Sequence, residues 1–258
     1  MTEEIRTERR GDALWIIVDR PVARNAMTFA MYEHIAAICK DANADASVKA
    51  LVLTGAGEAF VAGTDISQFA DFREASQALD YEKRMDAWLG AIEDVRVPTI
   101  AALRGPVVGG GLAIASACDL RVAAPSARFG VPVARTLGNC FSAANLVRIA
   151  ALVGLGRVKE LILTARLIDA QEARAIGLVT DVVAGEDALE PHVARLVEQL
   201  TSFAPLTLRA TKEMVRRIRQ RMLPDEASDL VALCYTSADF REGVAAFIER
   251  RKPVWKGQ

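Results

Sequence analysis

Apolar positions along this chain follow two different patterns, and the change between them comes near residue 130. Before it, short unbroken apolar runs alternate with helical spacing. Ala13 to Val18 (ALWIIV) reads as a buried strand, and Val48 to Thr54 (VKALVLT), closed by Gly55, as a second. Between them Thr28 is placed as an N-cap, with Met31, Ile35 and Ile38 following on one helical face. Thr99 to Leu103 predicts a third strand, stopped by Gly105-Pro106, and Leu120 to Ala123 a fourth, after a glycine-led helix. Strands separated by helices require crossover connections, so an α/β sheet covered on both faces is expected.

Beyond Gly130 the period is helical. Leu146 to Leu163 and everything after Asp187 follow it, and only Leu178 to Val183 reads as a strand. Pro205, Pro224 and Pro253 divide the last third into helices of ordinary length. No low-complexity linker separates the two patterns, so a single unit over residues 1–258 is expected, with a core to about 190 and a helical region from about 191.

Composition narrows the functional classes. An apolar content of 52% argues against disorder, and 32 basic against 33 acidic residues provide no field for nucleic acid or an anionic membrane. Cys39, Cys118, Cys140 and Cys234 lack the spacing of a disulfide framework or a zinc site, which suits a reducing cytoplasm. The charged start MTEEIRTERRGD resembles neither a secretory nor a transit peptide, so Met1 is taken as the mature start. The most apolar stretch, Gly105 to Cys118, is too short to span a bilayer. With only His34 and His192, both read as surface or packing residues, neither a histidine metal site nor a Ser-His-Asp triad is expected.

Two glycine-containing segments follow strand ends: Phe60 to Ile66 (FVAGTDI), and Gly105 to Ala113 (GPVVGGGLA). Such loops lie at the carboxyl edge of an α/β sheet, and the second opens a helix whose free N–H groups carry partial positive charge. Neither phosphate-loop spacing occurs, which leaves an enolate or a polarised carbonyl oxygen as the anion. Taken alone, the triple glycine fits equally well a helix packed tightly against a strand.

Several spaced segments, taken together, resemble the enoyl-CoA hydratase/isomerase (crotonase) family over nearly the whole chain. They are Arg20 to Ala26, Phe60 to Ile66, the glycine segment with Cys118-Asp119, Phe129 to Pro132, Ala175 to Val179 and Glu242 to Lys252. The resemblance implies a spiral of ββα units with a C-terminal helical trimerisation region, a homotrimer or hexamer, and an acyl-CoA thioester as substrate. It implies no separate cofactor, coenzyme A being part of the substrate. Thr64 and Gly110 match the two positions whose backbone N–H groups form the family's oxyanion hole. Ala23, Arg24, Ala62, Asp65 and Ile66 match the stretches lining the coenzyme A groove. Phe247 and Arg250 match positions that reach a neighbouring subunit's coenzyme A, although Arg250 reads equally as a solvated charge. The apolar tail residues Leu230, Val231, Leu233 and Val244 suit either a subunit contact or cover for the chain's own sheet.

The pattern breaks where a hydratase of this family carries two carboxylates. The first position matches Ala113; the second falls on Val133 or, in another register, Ala134, and the single acid of some isomerases matches Ser142. None of these side chains is an acid, and Ala113 and Val133 or Ala134 can neither take nor give a proton. Isomerisation, decarboxylation or a nonstandard hydration is therefore expected, with a non-catalytic acyl-CoA binding protein as the alternative. Replacement groups are sought among Arg135, Asn139, Cys140 and Ser142, and among Asp71, Glu74, Asp80 and Glu82. For the four acids a solvated helix face is the favoured reading, for Cys140 a packing thiol. Arg135 is the candidate for holding a substrate carboxylate.

Overall fold

A computed structural model describes residues 4–224 and 226–257; Met1 lies outside the described residues. The strands are β1 (Ile5–Arg10), β2 (Ala13–Val18), β3 (Ala50–Gly55), β4 (Thr99–Leu103), β5 (Pro106–Val108), β6 (Leu120–Ala123), β7 (Arg128–Gly130), β8 (Ile168–Asp169) and β9 (Asp181–Val182). The helices are α1 (Phe29–Ala44), α2 (Ala75–Glu93), α3 (Gly110–Ala117), α4 (Val133–Thr136), α5 (Ala143–Leu163), α6 (Ala170–Ala175), α7 (Leu189–Thr201), α8 (Pro205–Gln220), α9 (Ser228–Tyr235) and α10 (Ala238–Ile248).

Two sheets stack along the spiral. The larger runs β1-β2-β3-β4-β6-β9, parallel except for the β1–β2 hairpin, and the smaller runs β5-β7-β8. Each turn places one strand in the large sheet, a short one in the small sheet, and then a helix: β4–β5–α3, then β6–β7–α4. The turn before them has the same form. After β3 the chain meets β5 through a Val61–Val107 bridge and runs on to α2. Segments 24–27, 61–64 and 106–108 therefore lie side by side as rungs, which brings distant glycine loops to one edge.

The four strands read in the first half are present, the second as Ala50–Gly55. Thr28 caps α1, its hydroxyl accepting from the Met31 N–H. One expectation needs correction, and one strand was not expected. Leu178 to Val183 is mostly a turn that enters the sheet only at Asp181–Val182: the Leu178 and Val179 N–H groups bond back to Ala173. Their apolarity serves burial beneath α6, with Leu178 and Val179 both inside the core. β1 had no signal, because IRTERR is an exposed antiparallel edge strand that buries only Ile5.

The apolar tail divides. Val231 and Val244 join the chain's own core, while Leu230 and Leu233 remain exposed. Neighbouring α8 buries no residue, although Leu206, Met214, Val215 and Ile218 are apolar. No described helix is long and apolar enough to cross a membrane.

Candidate functional site

A cavity of about 490 Å³ opens where the rungs meet α2, α3 and the C-terminal helices. Ala23, Arg24, Ala62, Thr64, Asp65, Ile66, Gly110 and Phe247 all line it, so the structure gathers eight of the nine residues selected from sequence. Arg250 is not in this wall; it is exposed after the end of α10, with φ 55°.

The first rung is held by a residue that the sequence did not mark. Asn25 is fully buried with φ 60°, its amide donating to Ala56 O (2.9 Å) and Ala59 O (2.7 Å) while its Oδ1 accepts from the Arg20 N–H (2.8 Å). Asparagine tolerates this left-handed turn, and its three bonds fix the loop that presents Ala23 and Arg24. Asp65 is a structural carboxylate as well as a wall residue. It caps a short 3-10 helix through the Ser67 N–H (3.0 Å) and pairs with Arg20 (2.7 Å). Burial opposes its charge, but the Arg20 and Ser67 hydrogen bonds outweigh that and hold its carboxyl below the usual range.

Thr64 sits on the second rung. The bonds of its bridge to Met27 run from Met27 N–H to Gly63 O and from Asp65 N–H to Met27 O. In a parallel ladder this alternation turns the N–H of Thr64 itself away from Met27. On the third rung Gly109 (φ 54°) turns the chain into α3, where Gly110 is the first residue and its N–H belongs to the unpaired first turn. Gly110 and Thr64 are neighbours, since a Cβ built on Gly110 would lie 2.9 Å from Thr64 Oγ1 and 2.1 Å from Tyr32 Oη. A Cβ on Gly111 would instead meet Val61 O at 2.1 Å. Both glycines thus answer to close approach: Gly111 permits helix-on-strand packing, and Gly110, in the cavity wall, leaves room for the Tyr32–Thr64 hydroxyl pair behind it.

Ala113 and Val133 line the same cavity, whereas Ala134 is exposed and does not. Of the replacement candidates, Arg135 is exposed and outside the wall, because α4 turns it to the surface. Cys140 packs with its Sγ 3.7 Å from Leu230 O, and burial pushes its thiol up. Ser142 caps α5 and donates to Asp86 Oδ1 (3.2 Å). Asp71, Glu74 and Asp80 are exposed, as a solvated face requires.

Glu82 departs from that reading. It is 7% exposed and lines the cavity, on the α2 face that also buries Ala78, Tyr81 and Met85. Tyr235 on α9 donates to Glu82 Oε1 (2.7 Å), and the Asn139 amide in turn donates to the Tyr235 hydroxyl (3.0 Å). Among the described residues neither Glu82 Oε2 nor Asn139 Oδ1 has a hydrogen-bond partner, though both are buried. Burial is the largest influence on Glu82 and, with the nearby Asp86 charge, pushes its carboxyl from 4.5 to about 7, against the lowering effect of the Tyr235 bond and, to a smaller extent, of the nearby Ser142 hydroxyl. The signal was present in the spacing: position 82 falls four residues after Ala78, three before Met85 and seven before Leu89, on the apolar stripe.

A second, more open groove of about 880 Å³ is lined by Arg10, Trp15, Arg104 and Glu190, among others. Its charges pair with each other, Arg10–Glu190 at 2.8 Å and Arg104–Glu190 at 3.4 Å, and it gathers none of the predicted site residues.

A sequence profile for the enoyl-CoA hydratase/isomerase family matches residues 9–258. The chain is 35% identical to the crotonyl-CoA hydratase of Syntrophomonas wolfei, over 97% of this chain and 96% of that protein. It is 31% identical to the 2,3-dehydroadipyl-CoA hydratase of Escherichia coli, over 99% of each. Among solved structures, an enoyl-CoA hydratase/carnithine racemase from Magnetospirillum magneticum superposes with a TM-score of 0.81 at 34% identity, covering 100% of this chain and 97% of that one.

Proposed function

Since the chain belongs to the enoyl-CoA hydratase/isomerase family and has its crotonase-like fold, we propose that the cavity binds an acyl-CoA thioester and stabilises its enolate through the Thr64 and Gly110 N–H groups. The observation that carries this reading is the convergence of those two residues on one cavity wall, with Gly110 free of a side chain and Thr64 turned away from its ladder partner. Removing a proton beside a thioester carbonyl, or adding to its conjugated double bond, puts negative charge on the carbonyl oxygen. Fixed donors lower that barrier because they are already oriented, by about 2.7–4 kcal/mol each in other oxyanion holes.

Coenzyme A enters as part of the substrate. Ala23, Arg24, Ala62, Asp65 and Ile66 form the side of the groove along which the pantetheine would run, and the guanidinium of Arg24 suits a phosphate. Phe247, which lines this cavity, and Arg250, outside it, are assigned to contacts with the coenzyme A of a neighbouring subunit. A trimer or hexamer accounts for α8, on which Leu206, Val215 and Ile218 are left exposed among the described residues. Light scattering that gave a monomer at micromolar concentration would remove this assembly.

The reaction belongs to enolate chemistry other than ordinary hydration, because Ala113 and Val133 occupy the two positions assigned to hydratase carboxylates and both face the cavity. Assay of the purified chain against enoyl-, 3-hydroxyacyl- and malonyl-type CoA esters tests it, with turnover of at least one class expected. The same apolar pair favours a second reading, an acyl-CoA binding protein without activity. Calorimetric binding with no turnover of any ester would establish it in place of the first.

A further inference from the structure

We propose that Glu82 is the proton-transferring group of this site, positioned by Tyr235 and Asn139, and that it moves a proton between carbons of a β,γ-unsaturated acyl thioester. The assignment rests on the thioester reading above and supplies the acid–base group which that reading leaves open. A carboxyl on a helix interior face is costly to bury, and it is usually matched by partners for both oxygens. Here one oxygen is matched and the other is not. Oε1 accepts from Tyr235 at 2.7 Å, while Oε2 is buried without a protein partner in the wall that also contains Gly110, Thr64 and Ala113. Asn139 repeats the pattern: its amide is spent on Tyr235 at 3.0 Å and its Oδ1 is unmatched in the same wall. Two buried, unmatched polar atoms in one cavity wall mark where polar or transferable atoms of a ligand belong.

The Tyr235 bond fixes the rotamer of Glu82 and leaves Oε2 as the free basic atom. With a β,γ-unsaturated thioester, the Glu82 carboxylate takes a proton from C2. The C2–H electron pair moves through the carbonyl onto oxygen, between the two N–H groups. The Glu82 carboxylic acid then returns the proton to C4 as the C2=C3 double bond forms and the carbonyl is restored. No water, oxidant or reductant is consumed, and one carboxyl suffices, whereas hydration needs one group for water and one for carbon. This matches a wall in which α2 supplies a single acid and Ala113 and Val133 supply none.

The groups facing Glu82 define how it titrates. They are Tyr235 from α9, Tyr32 from α1, Tyr81 and Asp86 from its own helix, and Cys140 and Ser142 from the segment before α5. Arg148 of α5 is engaged with Asp86 at 3.1 Å, and no cation pairs with Glu82 among the described residues. The resulting carboxyl, pushed to about 7, changes charge where a proton shuttle at neutral pH requires it.

The test follows conversion of 3-hexenoyl-CoA to its conjugated isomer by the full chain across pH 5–9. The rate should rise through about pH 7 and level off, because the base form is the active one. Glu82→Gln, which copies the neutral carboxyl in shape, should lower kcat by roughly 10²–10⁴-fold with little change in acyl-CoA affinity. Tyr235→Phe keeps the carboxylate but removes a bond that lowers its titration, so the midpoint should move to higher pH, a shift that a purely structural tyrosine would not cause. An active wild type whose Glu82→Gln variant works within a few-fold, with an unmoved Tyr235→Phe midpoint, overturns the role of Glu82. That outcome leaves the oxyanion reading standing if Gly110 variants are still inactive. A wild type inert towards every thioester overturns both.

Discussion

The two walls of the cavity are built from different materials, and the proposed reading gives them different kinds of chemistry. One is built from the rungs at 62–66 and 108–110, where Gly110 has no side chain and the N–H of Thr64 turns away from its ladder partner; on the proposed reading it offers main-chain groups. The other is built from α2, α9 and the 139–142 segment and offers side chains: a carboxyl, a phenol and an amide linked in a row. Backbone donors are fixed by the fold and cost no reorganisation, so they suit a charge that always develops at the same oxygen. Side chains can be exchanged while the fold is kept. On the proposed reading, an acid absent at Ala113 and Val133 is supplied instead from α2, without disturbing the rungs.

The largest expected effect is on the backbone wall. In Gly110→Ala the added Cβ would meet Tyr32 Oη at 2.1 Å and Thr64 Oγ1 at 2.9 Å, and Tyr32 is buried and cannot swing away. The start of α3 must therefore move, and with it a donor. We expect kcat/KM to fall by about 10²-fold or more and stability by about 1–3 kcal/mol. Adding Tyr32→Phe removes the atom responsible for the closest contact and should restore part of both losses. Steady-state kinetics and urea unfolding measure the pair. Full activity in Gly110→Ala would erase the distinction between the walls, since the glycine would then serve packing alone.

The next effect belongs to the side-chain wall and reads Glu82 through stability. In the unfolded chain this carboxyl titrates near 4.5; in the folded chain burial pushes it to about 7. Between those values the folded state holds a proton that the unfolded state has lost. Stability from this group therefore declines as pH rises from about 4.5 to about 7, then stays level. The gap corresponds to at most about 3 kcal/mol. Glu82→Gln escapes the loss, so unfolding at pH 8 should show the variant more stable than wild type, with the advantage vanishing by about pH 4. A variant that is less stable at pH 8 would make Glu82 a structural carboxylate and remove the contrast from the opposite side.

The unequal visibility of the walls in the sequence has the same origin. Gly109, Gly110 and Gly111 follow a strand and open a helix, and backbone chemistry of this kind leaves glycine at fixed spacing, which can be read directly. Even the rung order was implicit, because segments that follow consecutive parallel strands must end at one sheet edge. Glu82 looked like Asp80 or Glu74 when taken singly, as one more charge on a helix. Only its phase relative to Ala78, Met85 and Leu89 separates it from them. Its partners were beyond reach: Tyr235 is 153 residues away and meets it only because α9 packs on α2. The small sheet was missed for a related reason. β5, β7 and β8 have two or three residues each, too few to establish a period, and they exist because neighbouring turns of the spiral hold them in place.

The smallest effect tests the backbone wall where its side chain is visible. Thr64 has a hydroxyl beside the cavity, and that hydroxyl pairs with Tyr32 Oη at 3.0 Å, so it resembles a catalytic group. If the N–H of Thr64 is what acts, Thr64→Val should leave the rate within a few-fold, because valine keeps both the backbone donor and the branched shape. The cost should appear in folding instead. Tyr32 Oη, on a fully buried ring, would lose its partner, which amounts to about 1–3 kcal/mol. Tyr32→Phe combined with Thr64→Val removes both halves of the bond together and should cost less than the sum of the single changes. A hundred-fold loss of rate in Thr64→Val at unchanged stability would place the chemistry in the hydroxyl, and the wall now assigned to main-chain groups would be a second side-chain wall.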